Sequence, residues 1–190
     1  MRKVILSIPI SLDGYIEGPQ RELDWVIADD DLHDYFSNLL ENADLVLYGR
    51  VTYELMVDYW PTATTDPALP KGMHRFANTI NPMQKIVFSK TLKNAVWNTQ
   101  VADALNPGEI RKMKAQPGRD IILGGGASLT QAFLKEGLVD EVQLLVQPVT
   151  IGSGKALFGG VDHRLKMDLL WSRPLRSGVV ALCYQLDGSL

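Results

Sequence analysis

One apolar segment of this sequence ends in residues that could bind phosphate. In DLVLYGRVTYE, residues 44 to 54, the apolar run is followed by Gly49 and then by Arg50 and Thr52. An arginine guanidinium can bind a phosphate through two parallel hydrogen bonds, and a helix that begins here offers free backbone amide groups. The pattern predicts that Gly49, Arg50 and Thr52 contact a phosphorylated ligand.

A second segment has the same character. KIVFSKTL, residues 85 to 92, places Ser89, Lys90 and Thr91 directly after its apolar part. Ligands of open α/β sheets bind at the carboxyl ends of the strands. An exposed cation is usually only solvated, but repetition at successive strand ends favours a binding site.

The strongest local signal is a glycine turn within IILGGGASLTQAFL, residues 121 to 134. An apolar strand runs into three glycines, and a helix begins immediately. Because glycine has no Cβ, backbone amides at such a helix start can approach a pyrophosphate closely. The alternative is a tight strand-to-helix turn that binds nothing. The predicted cradle consists of Gly124, Gly125, Gly126, Ala127 and Ser128.

Two common nucleotide motifs are excluded. Leu129 stands where the Rossmann pattern G-x-G-x-x-G has its third glycine, and the next strand ends in Gln147 rather than in an acidic residue. The segment IGSGKALF, residues 151 to 158, lacks the serine or threonine that follows lysine in a phosphate-binding loop of nucleoside triphosphatases.

The elements that position these residues follow from hydrophobic periodicity and turn residues. Helices are predicted over residues 29–42, 49–59, 74–79, 106–116 and 124–135, and a loop over residues 61–70. Strands are predicted over residues 4–10, 44–48, 85–89, 94–101, 121–123, 139–149, 165–171 and 179–186.

Strands alternate with helices up to residue 137 and then follow one another. This order predicts a three-layer α/β/α fold with a mostly parallel central sheet and antiparallel C-terminal edge strands. Neither a repeat nor a long linker interrupts the sequence, so one domain is predicted over residues 1–190.

Composition excludes several classes of protein. The chain has 46% apolar residues, 22% charged residues and a net charge of −3, without a basic run, so a nucleic-acid partner is not expected. No apolar stretch is long enough to cross a membrane. Cys183 is the one cysteine, which rules out an internal disulfide and favours a reducing compartment, so we predict a cytoplasmic protein. His33, His74 and His163 lack metal-ligand spacing and are predicted to lie at the surface, without a metal site.

In combination, the motifs resemble a known superfamily. GRVTYE and LGGGASL are similar to the Gly-Arg-x-Thr segment and the glycine turn of dihydrofolate reductases. Four other segments resemble the C-terminal reductase domain of the bifunctional riboflavin-biosynthesis deaminase/reductase, and above all its small stand-alone relatives. These segments are LDGYI, LDWV, LVDEVQLLVQPVTIGSGKALF and SGVVALCYQL.

The resemblance implies NADPH as cofactor, a dihydrofolate reductase-like fold and hydride transfer to a small molecule. Residues 49, 50, 52 and 89–91 would hold the adenine-side phosphates, and residues 124–128 the pyrophosphate. The loop after the first strand, from Ser11 to Tyr15, would run beside the nicotinamide. The implied substrate-side residues are Ser7, Asp13, Gly14 and Trp25.

The resemblance also implies a carboxylate near the start of the first helix that protonates or orients the substrate. In DDDLHDYF, residues 29 to 36, Asp31 precedes Leu32 in the most similar way. The alternative is that these acidic residues only cap the helix and complement its dipole.

Two classes of function stay open. The first is an NADPH-dependent reductase that acts on a phosphoribosylaminopyrimidine or on a dihydropterin, with another small carbonyl or imine compound as a further possibility. The second is a non-catalytic nucleotide-binding or interaction module that retains the cofactor cleft. A homodimer is expected because the two C-terminal strands are apolar and need covering.

Overall fold

The computed structural model describes residues 1–186 of the chain. The predicted single domain also includes residues 187–190, which lie outside the described residues. Five helices occur in the described part of the chain: α1 (Asp30–Glu41), α2 (Arg50–Ala63), α3 (Lys71–Ile80), α4 (Pro107–Ala115) and α5 (Ala127–Lys135).

Eight of the described strands form one sheet, in the order β5-β4-β3-β6-β1-β7-β10-β9. They are β1 (Val4–Ser11), β3 (Ala43–Gly49), β4 (Gln84–Phe88), β5 (Thr99–Ala102), β6 (Asp120–Leu123), β7 (Glu141–Gln147), β9 (Met167–Pro174) and β10 (Val180–Leu186). Neighbours from β5 to β7 pair in parallel, whereas β10 pairs antiparallel with β7 and with β9. The predicted mostly parallel sheet with antiparallel C-terminal edge strands is confirmed.

Helices cover both faces of the sheet because its strands are apolar on both sides. Along β1, Leu6 packs into a core with α4 and α5, while the adjacent Ile5 packs into a core with α1, α2 and α3. Successive side chains of a strand point to opposite faces, so one strand supplies both cores. The alternation places Ser7 on the same face as Ile5, beneath α1 to α3.

The prediction of a loop over residues 61–70 is wrong at its start, since α2 continues through Pro61 to Ala63. Pro61 donates no backbone hydrogen bond, which normally weakens a helix. Trp60 and Ala63 are nevertheless buried in the core beneath α2, and this packing stabilises the last turn. Pro70 then precedes α3, which begins at Lys71.

The predicted strand over residues 94–101 is reduced to β5. Trp97 and Asn98 have φ values of 64° and 54°, which no strand accommodates. The Trp97 indole holds this conformation because it donates to Asn81 Oδ1 at 2.9 Å and lies over Lys85 Nζ, 4.0 Å from the ring centroid.

Two short strands escape the sequence analysis. β2 (Tyr15–Glu17) pairs antiparallel with β8 (Lys155–Ala156) to form a separate two-stranded sheet. Strands of three and two residues are too short to show a periodicity.

Candidate cofactor and substrate site

Two helices begin side by side at the carboxyl edge of the sheet. β3 and β6 are parallel neighbours, with Leu47 paired to Leu123, and each runs directly into a helix. The backbone N–H of Gly49, at the start of α2, donates to the carbonyl of Gly125 at 3.3 Å. The N-termini of α2 and α5 therefore converge.

Neither of these helix starts is capped by a side chain, since Gly49 and Gly126 occupy the capping positions. The amides in the first turn of each helix consequently lack intrahelical partners, and each N-terminus carries a partial positive charge of roughly half an elementary charge. Two converging N-termini form a favourable environment for a ligand with two linked phosphates.

The glycines are required by the close approach of the two turns. Gly125 and Gly126 have φ values of +116° and +95°, which side chains rarely adopt. A Cβ on Gly126 would lie 3.2 Å from the Cα of Gly49, and one on Gly124 would lie 2.5 Å from Cε1 of Tyr48. The turn therefore keeps a cradle that any larger residue would fill.

The other predicted cofactor residues lie at the same edge. Thr52 is half-buried, and its Oγ1 would be 3.5 Å from a Cβ on Gly126. Arg50 is exposed, and its guanidinium donates to both carboxylate oxygens of Glu54 at 2.7 and 2.8 Å. Arg50 would exchange this surface ion pair for a phosphate at small cost, because exposed pairs contribute little.

Beyond β3, the end of β4 contributes the remaining polar group. The buried Ser89 hydroxyl accepts from the backbone N–H groups of Thr91 and Leu92, at 3.2 and 2.9 Å, and so orders the turn. Lys90 and Thr91 are exposed. Ser89 thus has a structural role in the turn, while Lys90 is exposed and can reach an anion.

The last two predicted cofactor residues lie in the first turn of α5. Ser128 is exposed there, and Ala127 is buried.

A cavity of about 380 Å³ lies beside the glycine turn. Its floor is the sheet face formed by β1, β3 and β6, and its roof is formed by α1, α2 and α3. Gly124, Gly125 and Gly126 line its mouth together with Thr52. A cavity of this size is in the range of small-molecule sites, and here it opens onto the cradle.

The predicted substrate-side residues divide into two groups. Ser7 lines the cavity, and its buried hydroxyl has no hydrogen-bond partner in residues 1–186. Asp13, Gly14 and Trp25 lie outside the lining. Trp25 instead donates its indole N–H to the carbonyl of Glu22 at 3.1 Å, and Gly14 has a φ of +91° in the turn after β1.

Asp13 fastens two loops together. Its carboxylate accepts from the Ser11 hydroxyl at 2.6 Å and from the backbone N–H groups of Ile151 and Gly152 at 3.2 and 2.8 Å. The bond from Ser11 is the main reason that the pKa of Asp13 is lowered. Asp13 therefore positions the loop after β1 rather than facing the cavity.

The structure separates Asp31 from the cavity. Its carboxylate accepts from the Arg176 guanidinium, with Nε 2.8 Å away, and so links the start of α1 to the turn before β10. These bonds hold the pKa of Asp31 below its usual range, which keeps it ionised near neutral pH. The alternative, that an acidic residue here caps the helix, applies to Asp29. Its Oδ1 accepts from the N–H of Leu32 at 2.9 Å.

The prediction that His33 lies at the surface is wrong. His33 is 8% exposed and lines the cavity, with its ring centroid 5.8 Å from that of Trp60 and 6.0 Å from that of Phe76. Its Nδ1 lies 2.7 Å from the carbonyl oxygen of Asp29. Because a carbonyl can only accept, Nδ1 carries the hydrogen, and Nε2 is the nitrogen left for a ligand.

The spacing of residues along α1 could have predicted that His33 is buried. His33, Phe36 and Leu40 are separated by three and four residues, which puts them on one face of the helix. All three line the cavity. His74 and His163 are exposed, as expected.

Comparison with known proteins identifies the family. The family model described as the RibD C-terminal domain matches residues 2–181. The chain belongs to this family. This RibD C-terminal domain protein is 38% identical over 190 residues to the uncharacterized protein YyaP of Bacillus subtilis (strain 168), covering 98% of this chain and 96% of YyaP. Membership of the family supports a reductase-type function.

Solved structures show the same fold. One is a protein from Shewanella sp. PV-4 that carries a provisional riboflavin-biosynthesis name, with a TM-score of 0.74, 23% identity and coverage of 98% of this chain and 99% of that one. Another is dihydrofolate reductase from Enterococcus faecalis complexed with NADP(H) and RAB-propyl, with a TM-score of 0.65, 15% identity and coverage of 97% and 96%. The dihydrofolate reductase-like fold is therefore confirmed.

Two other kinds of feature are absent from residues 1–186. Among residues 1–186, no three histidine, cysteine, aspartate or glutamate side chains are grouped so that they could hold a metal ion. None of the helices in this part of the chain is both long and apolar enough to span a membrane.

Proposed function

We propose that this RibD C-terminal domain protein is an NADPH-dependent reductase acting on a small unsaturated substrate. The observation that carries the proposal is the convergence of two uncapped helix N-termini on a glycine cradle beside an apolar cavity. Bound NADPH would supply a hydride at the mouth of this cavity. The fold of an NADP(H)-bound dihydrofolate reductase supports the same assignment.

The chain's own residues would divide the binding of the dinucleotide. The amides of Ala127 and Ser128 would bind the pyrophosphate, since their N–H groups belong to the uncapped first turn of α5. Arg50 and Lys90 supply exposed positive charge near the ends of β3 and β4. A 2′-phosphate would recruit these cations, which favours NADPH over NADH.

We expect NADPH to bind more tightly than NADH and Arg50→Ala to weaken NADPH binding by about 10-fold, the loss of one charge-assisted hydrogen-bond pair. The measurement is a titration followed by quenching of tryptophan fluorescence. Because the lost interaction involves the 2′-phosphate, the affinity for NADH should change little.

Glu54→Gln is the matched control, since it removes the acidic partner of Arg50 and keeps the arginine. This variant should bind NADPH at least as tightly as the unmodified protein. An Arg50→Ala protein with an unchanged preference for NADPH over NADH would show that Arg50 does not contact the 2′-phosphate. If neither NADPH nor NADH binds to the unmodified protein, the cofactor assignment is rejected.

The separation of Asp31 from the cavity keeps a non-catalytic nucleotide-binding module as the second candidate. Such a module would bind NADPH but would not oxidise it with any substrate. Turnover of NADPH with a small unsaturated compound, weakened in parallel with NADPH binding in Arg50→Ala, would exclude this candidate.

We also infer that the protein forms a homodimer through β9. This strand ends the sheet, and Leu169, Leu170 and Trp171 are 56%, 45% and 39% exposed. An unpaired apolar edge favours pairing with another strand. Antiparallel pairing of β9 with β9 of a second copy satisfies two-fold symmetry and would join the two sheets.

Leu169→Asp combined with Leu170→Asp is expected to convert the dimer to a monomer, because the symmetric contact would bring four carboxylates together. Sedimentation at micromolar concentration measures the change. Val96→Asp is the control, since Val96 is 68% exposed in a loop remote from β9 in sequence. A monomeric unmodified protein would contradict the inference.

A further inference from the structure

We infer that the cavity binds a neutral, planar heterocycle with a lactam-like edge, held by the Ser7 hydroxyl and the His33 imidazole. This inference deepens the proposed reductase and rests on it for the fate of the bound ring. Binding of the ring itself can be measured without NADPH.

Among the described residues that form the lining, there is no lysine or arginine. Moving a phosphate into an apolar site without a counter-charge costs several kcal/mol. A phosphoribosyl substrate, one of the two predicted from the sequence, therefore finds no lysine or arginine in this lining to pair with its phosphate.

The deep part of the cavity also lacks a carboxylate. Glu17 is the one acidic residue in the described lining, and it is half-buried on the short strand β2. Asp31 is paired with Arg176 outside the cavity. The carboxylate that a dihydropterin would need at its amino-substituted edge is missing from the helix start where the resemblance places it.

The walls are apolar and aromatic. Phe36 of α1, Trp60 of α2 and Phe76 of α3 contribute rings to the roof, and the Trp60 and Phe76 rings lie edge to face, with centroids 4.5 Å apart and an interplanar angle of 63°. Aromatic side chains bind flat rings through stacked or edge-to-face contacts. A planar, uncharged compound is the class of ligand that this surface favours.

Two polar atoms of the cavity determine which hydrogen-bonding groups a ligand must carry. The hydroxyl of Ser7 is buried on the floor without a partner in residues 1–186, and a buried polar group of this kind is costly unless a ligand or water pairs with it. His33 on the roof directs its Nδ1–H to Asp29, so neutral His33 offers Nε2 as an acceptor. A ligand with an adjacent N–H and C=O can donate to His33 and accept from Ser7.

Reduction of such a ring is chemically balanced. A C=N bond of such a ring, outside its lactam group, would gain a hydride at carbon from NADPH, which would become NADP⁺, and a proton at nitrogen from solvent water. Ser7 and His33 would orient the heteroatom edge of the ring.

The experiment uses 2-quinolone as the probe, because it is a neutral bicyclic lactam. Its N-methyl derivative keeps the ring and the carbonyl but lacks the N–H group. Binding is followed by calorimetry and by quenching of tryptophan fluorescence, since Trp60 lines the cavity. Both measurements are made on the full chain without NADPH.

We expect 2-quinolone to bind about 5- to 10-fold more tightly than its N-methyl derivative, the value of one neutral hydrogen bond. His33→Leu should abolish this difference, while Ser7→Ala should weaken both compounds. Uridine 5′-monophosphate, as a phosphorylated probe, should bind more weakly than 2-quinolone.

Several outcomes would overturn the inference: no binding of 2-quinolone at its solubility limit, equal binding of the two quinolones, or tighter binding of uridine 5′-monophosphate. If His33→Leu does not fold, the comparison of the two quinolones on the unmodified protein still decides the matter. If NADPH binds and 2-quinolone does not, only the proposed class of ligand is rejected. If 2-quinolone binds and NADPH does not, only the proposed reductase function is rejected.

Discussion

Gly126→Ala is expected to weaken NADPH binding by at least about 100-fold, which corresponds to about 2.7 kcal/mol. Two effects combine in this variant. Gly126 has a φ of +95°, where a residue with a Cβ is strained by roughly 1–2 kcal/mol. The new methyl group would also lie 3.2 Å from the Cα of Gly49 and would push apart the two helix N-termini that form the cradle.

Gly178→Ala separates strain from cradle geometry. Gly178 has a φ of +88°, but the nearest atom to an added Cβ is Pro148 Cγ at 3.8 Å, and the position lies in the turn between β9 and β10. Both variants should therefore lose thermal stability through backbone strain, and Gly126→Ala should lose more because of its added contact with Gly49. Titrations with NADPH should show a large loss of affinity for Gly126→Ala and none for Gly178→Ala. Equal affinities in the two variants would mean that the cradle does not bind the dinucleotide.

The cradle could be predicted from the sequence because its parts are local. Each strand-to-helix turn is contiguous in the chain, and the carboxyl ends of parallel strands share one edge of a sheet. Gly49, Thr52 and residues 124–126 could therefore be brought together without knowledge of the strand order. The structure places β3 and β6 next to each other, which makes the two turns touch.

The cavity could not be predicted because its lining is contributed by separate elements. One strand and two helices supply Ser7, His33 and Trp60. Only the packing of three helices over one sheet face brings these residues together around one cavity. His33 illustrates the limitation. A histidine on a helix reads as a surface residue until the apolar face on which it lies is recognised.

Asp31 shows the opposite difficulty. Its place before Leu32 resembles the acidic position of the family, but its partner Arg176 is 145 residues away in the chain. No local sequence pattern predicts an ion pair between residues so far apart in the chain. Where a carboxylate points is decided by the tertiary structure, and here α1 turns Asp31 toward the hairpin of β9 and β10.

Gly72→Ala is expected to lower the free energy of unfolding by about 1–3 kcal/mol, the usual cost of overpacking a tight contact. Gly72 is buried near the start of α3, where the helix meets α1. An added Cβ would lie 2.8 Å from the Cα of Asp30 and 2.9 Å from its carbonyl oxygen. Both are backbone atoms, so relief of the contact requires one helix to move away from the other.

Gly108→Ala is a matched control because Gly72 and Gly108 are each the second residue of a helix. At Gly108 the nearest atom to an added Cβ is Asn106 Oδ1 at 3.3 Å, a side-chain atom that need move by only a few tenths of an ångström and so can keep its capping bond from the N–H of Gly108. Alanine favours a helix over glycine by roughly 1 kcal/mol, so this variant should be neutral or slightly more stable. Urea unfolding should thus give opposite signs at equivalent helix positions. Because α1 and α3 together form much of the cavity roof, Gly72→Ala should also weaken 2-quinolone, and undiminished binding would show that the ring does not lie beneath these helices.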